Sequence, residues 1–263
     1  MKKILIVLAL IGVISFLFSG CNITTPGVNN GTEGEDEGEE DSSRVVMVEL
    51  FVAPACGNCP KAKQYMAQLL EEYGTDKLVV LEDYAWNYPL NSGWAIPETI
   101  NRYMWYTSEG GTPDAYFNGL NQNIKRDNSS YNNYKSAIDK ELAKSPKITI
   151  SVSASKDESV HSISIKGNIN NVSSENLENL VIGAMVYEDS VLLGSSTVNH
   201  VARDIITSEL INSLFSGSTY SFSLYADAED LKWADNFNNL HIIVYVQAPY
   251  SSTKEILQAV YIE

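Results

Sequence analysis

The sequence predicts an α/β domain followed by an all-β sandwich, both carried in one chain of 263 residues. Three observations predict it. An apolar run at 45–52 leads into a 3.6-residue period and then a second apolar run, the pattern of a βαβ unit. Beyond residue 146 the apolar period changes to two, over several short segments separated by turn residues. The stretch 22–43, rich in Gly, Asn and acid, has too little apolar content to build a core, so folding begins after it.

Residues 1–21 open the chain as an export signal. Lys2 and Lys3 form a charged start, 4–18 an apolar centre, and Ser19-Gly20-Cys21 a run of small residues ending in a cysteine. This resembles a bacterial lipoprotein signal cut before Cys21, with Phe18 where leucine is usual and Leu17 one place early. The resemblance implies that Cys21 carries lipid and anchors the chain to a membrane of the cell envelope. Each buried CH₂ of an acyl chain contributes ~0.8 kcal/mol, so several chains hold firmly. Residues 22–43 carry seven acidic side chains, Glu33 to Asp41, and no basic one. They read as a solvated tether spanning roughly 25 Å.

Residues 44–145 form the expected α/β domain. The first strand is 45–52. The first helix is 60–73, with Ala62, Tyr65, Met66, Leu69, Leu70 and Tyr73 at helical spacing and Gly74 as its stop. The second strand is 77–84, centred on Leu78-Val79-Val80-Leu81; 87–93 is a loop. A helix at 97–106 is broken by Gly110-Gly111, a strand follows Thr112-Pro113, Asn118-Gly119 turns the chain, and 131–144 closes the domain as a helix. Residues 146–263 form the expected β domain. Its strands are expected around 148–152, around Ile163 and Ile165, and at 180–187, 198–202, 220–224, 241–246 and 256–262, with a helix near 207–215. Six or seven such strands suggest an immunoglobulin-like sandwich.

The chemistry concentrates in Cys56-Gly57-Asn58-Cys59-Pro60, at the start of the first helix. A helix N-terminus carries unpaired N–H groups and partial positive charge, which favour thiolate over thiol. A free cysteine titrates near ~8.5, and such positions bring this to roughly 3.5–7.5. Cys59, expected one turn inward, is placed to attack a mixed disulfide at Cys56, so the pair can cycle between dithiol and disulfide. A permanent structural disulfide is a second reading, and a metal site a third. A CxxC loop is too short to gain much by chain closure. Zinc wants four ligands, and His161, His200 and His241 all fall in the β region. No metal or organic cofactor is expected.

The order of strand, CxxC-Pro helix, strand, helix, X-Pro strand and final helix resembles the thioredoxin superfamily. With the β region, the chain resembles the 28-kilodalton outer-membrane lipoprotein family, a thioredoxin-like domain carrying a β-sandwich. Cys56 to Pro60 and Gly111-Thr112-Pro113 carry the resemblance, supported by Asn199 to Arg203 and the 242–262 region. It implies a cis peptide bond before Pro113, packed against the cysteines, with the Thr112 backbone free to pair with substrate. Family members place a buried carboxylate six positions before the first cysteine. Here that position is Leu50, and Glu49, one step away and therefore expected on the opposite face of the sheet, is the candidate proton relay. Ala55 stands where thioredoxin has tryptophan. Trp86, Trp94 and Trp105 are candidates to line a substrate groove.

The expected function is thiol–disulfide exchange on protein cysteines, supplied with electrons by a redox partner protein and leaning to reduction or isomerisation. The alternative is a non-catalytic surface lipoprotein whose sandwich binds a partner. A net charge of −15 argues against nucleic acid as a partner and against direct electrostatic binding to an anionic membrane.

Overall fold

The computed structural model describes residues 43–86, 94–193 and 195–262. The expected signal, Cys21, the tether before residue 43 and the 87–93 loop lie outside the described residues.

In chain order the first region contains β1 (Val46–Val52), α1 (Cys59–Tyr73), β2 (Leu78–Tyr84), α2 (Pro97–Tyr106), β3 (Asp114–Phe117), β4 (Gln122–Lys125) and α3 (Tyr131–Leu142). The second contains β5 (Ile148–Asp157), β6 (Ser162–Asn171), β7 (Leu177–Glu188), β8 (Val191–Leu193), β9 (Ser196–Val198), β10 (Val201–Thr207), β11 (Ile211–Leu214), β12 (Thr219–Ala226), β13 (Leu240–Gln247) and β14 (Ile256–Ile262). The architecture is mostly β, with a mixed sheet and three α-helices among the described residues.

The two regions share that sheet. Its order is β14-β13-β7-β10-β2-β1-β3-β4, with β11 also on β7. β1 and β2 are parallel, as a βαβ unit requires. β10 joins β2 in parallel through Val201 opposite Glu82, reinforced by the Glu82 N–H donating to the His200 carbonyl at 2.8 Å. A three-stranded sheet, β12-β6-β5, covers one face of the β7–β13–β14 end. Ile163, Ile165, Ile182, Ala184, Phe222 and Val244 fill the space between.

β1, β2 and most of β7 and β13 are buried on both faces, which is why their sequences read as continuous apolar runs. On one face of β1, Val46, Val48, Leu50 and Val52 pack under α1 and α3. On the other, Phe51 stacks on Tyr103 of α2, with ring centroids 4.6 Å apart. Met47, Val79 and Leu81 meet Met185, Ile243 and Tyr245 from the second region. Close approach sets Gly183 in β7, where an added Cβ would lie 2.1 Å from the Tyr245 ring.

One expectation is overturned here. The segment expected as a helix near 207–215 is the end of β10 and the whole of β11. Leu210, Ile211 and Leu214 have helical spacing, but β7 offers an open ladder that captures the backbone, with Ile211 opposite Leu180 and Leu214 opposite Leu177.

Candidate active site

Cys56 and Cys59 are joined by a disulfide, with Cα atoms 5.4 Å apart. α1 begins at Cys59, so Cys59 is the first helical residue rather than one turn inward, and Cys56 lies in the turn before the helix. The local backbone explains the turn: the Cys56 N–H donates to the Ala53 carbonyl at 3.1 Å, and the Cys59 N–H to the Cys56 carbonyl at 3.3 Å. The Cys59 N–H also lies 3.1 Å from the Cys56 sulfur. A helix-start donor therefore points at the outer sulfur. Cys56 is half-buried, whereas Cys59 is 2% exposed and packs in the core with Leu50, Met66 and Leu69. Cys56 is the more exposed residue of the pair.

The Thr112–Pro113 bond is cis. The β1–β3 register pairs Phe51 with Asp114, which brings Pro113 level with Val52 at the end from which the cysteine turn departs. The Pro113 carbonyl accepts from the Arg126 N–H at 2.7 Å. Behind the loop, the Tyr116 hydroxyl donates to Asp114 at 3.0 Å. Thr112 is half-buried.

The outer sulfur opens on a cleft of about 200 Å³. Pro54, Cys56 and Cys59 form one side, and Lys63 and Tyr84 another. Ser196 and Val198, from the β8–β9 hairpin of the second region, complete it. Sequence reasoning missed this last contribution entirely, because nothing local in the spacing brings residue 196 to residue 56.

A carboxylate does stand on this face of the sheet, at Glu82. β2 pairs Glu82 with Leu50, the position one residue from Glu49. Lys63 Nζ lies 2.7 Å from Glu82 and 3.3 Å from the Tyr84 hydroxyl. Burial pushes the Glu82 carboxyl up to about 7, even against the Lys63 ammonium. Burial alone would lower Lys63; the charge and hydrogen bond of Glu82, with help from Tyr84, outweigh it and raise the ammonium. A carboxylate on β2, in register with the expected position, was the signal that a reading along β1 could not supply.

Glu49, the candidate proton relay, points to the opposite face. It is fully buried, paired with the Arg102 guanidinium through both oxygens, and accepts from the Tyr106 hydroxyl at 2.7 Å. Alternation along β1 puts Leu50 on the cysteine face and Glu49 away from it. This is the face expected from its place one step off the usual carboxylate position, and there Glu49 is an ion-pair member beneath α2. Its neighbour Asp83 is also buried, and burial, then the Glu49 charge, pushes its carboxyl well up.

The tryptophans divide. Trp86 lines a separate, more open groove with Tyr103, Met104, Gly111 and Arg126. Trp94 packs on Tyr84 behind the cysteine cleft, and Trp105 lies beneath the Lys254 ammonium, 4.2 Å from its ring centroid. His161 packs at a tilt against Phe237, away from the site. His200, in contrast, is carried to the β2 edge, and burial lowers its pKa against the pull of Asp189. Among the described residues no cluster of His, Cys, Asp and Glu is set to hold a metal ion.

Asn199 to Arg203, noted from sequence, build the junction between the regions. Asn199 accepts from the Ser190 N–H at 2.9 Å, His200 and Val201 join β2, and Arg203 pairs with Glu188 at 2.7 Å.

No family model and no curated protein matches the sequence. Solved structures do. HBP35 of Porphyromonas gingivalis, 12% identical, superposes with a TM-score of 0.65 over 83% of this chain and 74% of that one. A protein of Agrobacterium tumefaciens, 19% identical, gives 0.54 over 83% and 94%. A domain of the outer membrane lipoprotein Omp28 from Porphyromonas gingivalis, 17% identical, covers 45% of this chain and 88% of its own, with a TM-score of 0.33. The first two likenesses are likenesses of fold.

Proposed function

We propose that this chain is an exported thiol–disulfide oxidoreductase, tethered to the cell envelope by lipid on Cys21 and acting on protein cysteines. In this reading the first region is a thioredoxin-like domain and the second an immunoglobulin-like sandwich fused to it edge to edge. The observation that carries it is the contrast within the cysteine pair: Cys56 is half-buried, lines the cleft and faces a helix-start N–H, while Cys59 is 2% exposed.

In the reducing direction the Cys56 thiolate attacks one sulfur of a substrate disulfide. A Cys56–substrate disulfide forms, and the first substrate sulfur leaves as a thiolate and takes a proton from water. The Cys59 thiolate then attacks Cys56, the second substrate sulfur leaves, and the Cys56–Cys59 disulfide closes. Two electrons have passed from the pair to the substrate. A dithiol partner protein restores the pair by the same steps reversed. Thr112, beside Pro113, offers main-chain groups with which an extended substrate can pair as an added strand.

Replacing the resolving cysteine tests the scheme. Cys59→Ser should accumulate mixed disulfides with exported proteins, visible as adducts that dithiothreitol releases, and Cys56→Ser should accumulate none. Equal, empty traps for both variants would contradict catalysis.

A further inference from the structure

The β8–β9 hairpin contributes nothing to the large sheet. Its strands pair only with each other, Val191 opposite Val198 and Leu193 opposite Ser196. A two-stranded hairpin is at best marginal alone, so packing must hold it in place. The packing is on the first region: Val191 is 2% exposed, in the same core as Cys59, Leu50 and Tyr84. The base is clamped as well. The His200 N–H donates to Asp189 at 2.7 Å and the Ser190 N–H to Asn199 at 2.9 Å. Alternation then turns Ser196 and Val198 toward the cysteine cleft, while Leu192 on the other face is 70% exposed.

We propose that this hairpin is the specificity wall of the cysteine cleft. Ser196 and Val198 admit an extended polypeptide whose cysteine is flanked by a small or apolar uncharged residue, and exclude one with a charged or bulky neighbour. This deepens the oxidoreductase reading and rests on it.

Size and charge argue for that substrate class. At about 200 Å³ the cleft is smaller than the ~300–1,000 Å³ of ordinary small-molecule sites. It has room for one side chain beside the reacting sulfur. Its wall is Val52, Ala53, Pro54 and Val198. The ammonium that lines it, Lys63, is already engaged by Glu82 at 2.7 Å. A carboxylate entering the cleft would lose water and find that cation occupied.

The test uses the full chain and short peptide disulfides carrying Val, Asp or Trp next to cysteine. Wild type should reduce the Val peptide about tenfold faster, as kcat/KM, than the Asp or Trp peptide. Ser196→Trp should lower the Val rate about tenfold, while the rate of Cys56 with dithiothreitol stays within about twofold. Ser196→Lys should shift preference toward the Asp peptide. Thr197→Lys, on the exposed alternate position, should change neither. Ser196 is exposed, so these variants spare the core. Identical peptide preferences in all four proteins would overturn the wall and leave the oxidoreductase reading standing. A wild-type pair inert to peptides and dithiothreitol alike would overturn the oxidoreductase reading, and the wall with it.

Discussion

At the scale of single residues, two carboxylates near β1 have been sorted into different jobs. Glu49 neutralises Arg102 beneath α2, whereas Glu82 faces the cysteine cleft through Lys63. The expected consequences differ. Above about pH 7, where Glu82 is ionised, Glu82→Gln removes the negative charge that engages Lys63, and a freed ammonium beside the cleft favours thiolate. The apparent pKa of Cys56, read from alkylation rate against pH in the reduced protein, should fall. Glu49→Gln should leave that titration unchanged but strand a buried guanidinium, costing about 3–5 kcal/mol in denaturant unfolding. The reverse pattern would return the relay to Glu49. The cysteines and Pro113 were legible in the sequence because their spacing is local. Lys63, Tyr84 and, through Lys63, Glu82 were not, because only the pairing of β2 with β1 and the turn of α1 bring Lys63 and Tyr84 to the cleft that Cys56 lines.

At the scale of elements, legibility followed how many faces a segment buries. β1, β2, β7, β13 and β14 were readable as apolar runs. α1, α2 and α3 were readable from helical spacing, α1 having in addition its glycine stop. β10 was harder: Arg203 and Asp204 interrupt its apolar pattern, and its pairing with β7 shifts register between Ala202 and Asp204. β11 was misread as a helix because its spacing fits one, and only the neighbouring strand decides otherwise. β4, with half-buried or exposed residues throughout, carried almost no signal. The β7–β13 contact should tolerate little added volume, since Tyr245 lies directly over Gly183. Gly183→Ala should cost about 1–3 kcal/mol by overpacking. A denaturation midpoint unchanged from wild type would show that Tyr245 moves aside freely.

At the scale of the whole molecule, the two regions share one continuous sheet, and charged groups lie buried near where they meet. Burial raises Glu82 from 4.5 to about 7. It also raises Asp204 to about 7, and Asp83 is raised well above its ordinary value. Between the unfolded and folded values the native state holds these protons more tightly. The stabilisation from Glu82 and Asp204 is therefore full below their ordinary values of 4.5 and 3.8 and is lost as pH rises through about 7, and Asp83 acts in the same direction. Glu82 alone accounts for on the order of 3 kcal/mol across that window. His200 works in the opposite sense, since its lowered pKa removes stability as pH falls below the ordinary histidine range. Three carboxyls against one imidazole set the balance, and the net charge of −15 adds repulsion at higher pH. The melting temperature should be higher at pH 5 than at pH 8, by roughly 5 °C or more. Glu82→Gln should flatten the dependence. A wild-type protein that melts later at pH 8 would contradict the burial of these groups as neutral acids.

The central claim is that Cys56 is an ionised, reachable nucleophile at the mouth of α1. Its apparent pKa in the reduced full chain tests that most directly, followed by the rate of iodoacetamide alkylation from pH 4 to pH 10. The account predicts a single Cys56 titration well below ~8.5, with Cys59 unreactive in the same range. A titration at or above that value, or a Cys56 that alkylates only after unfolding, would contradict it.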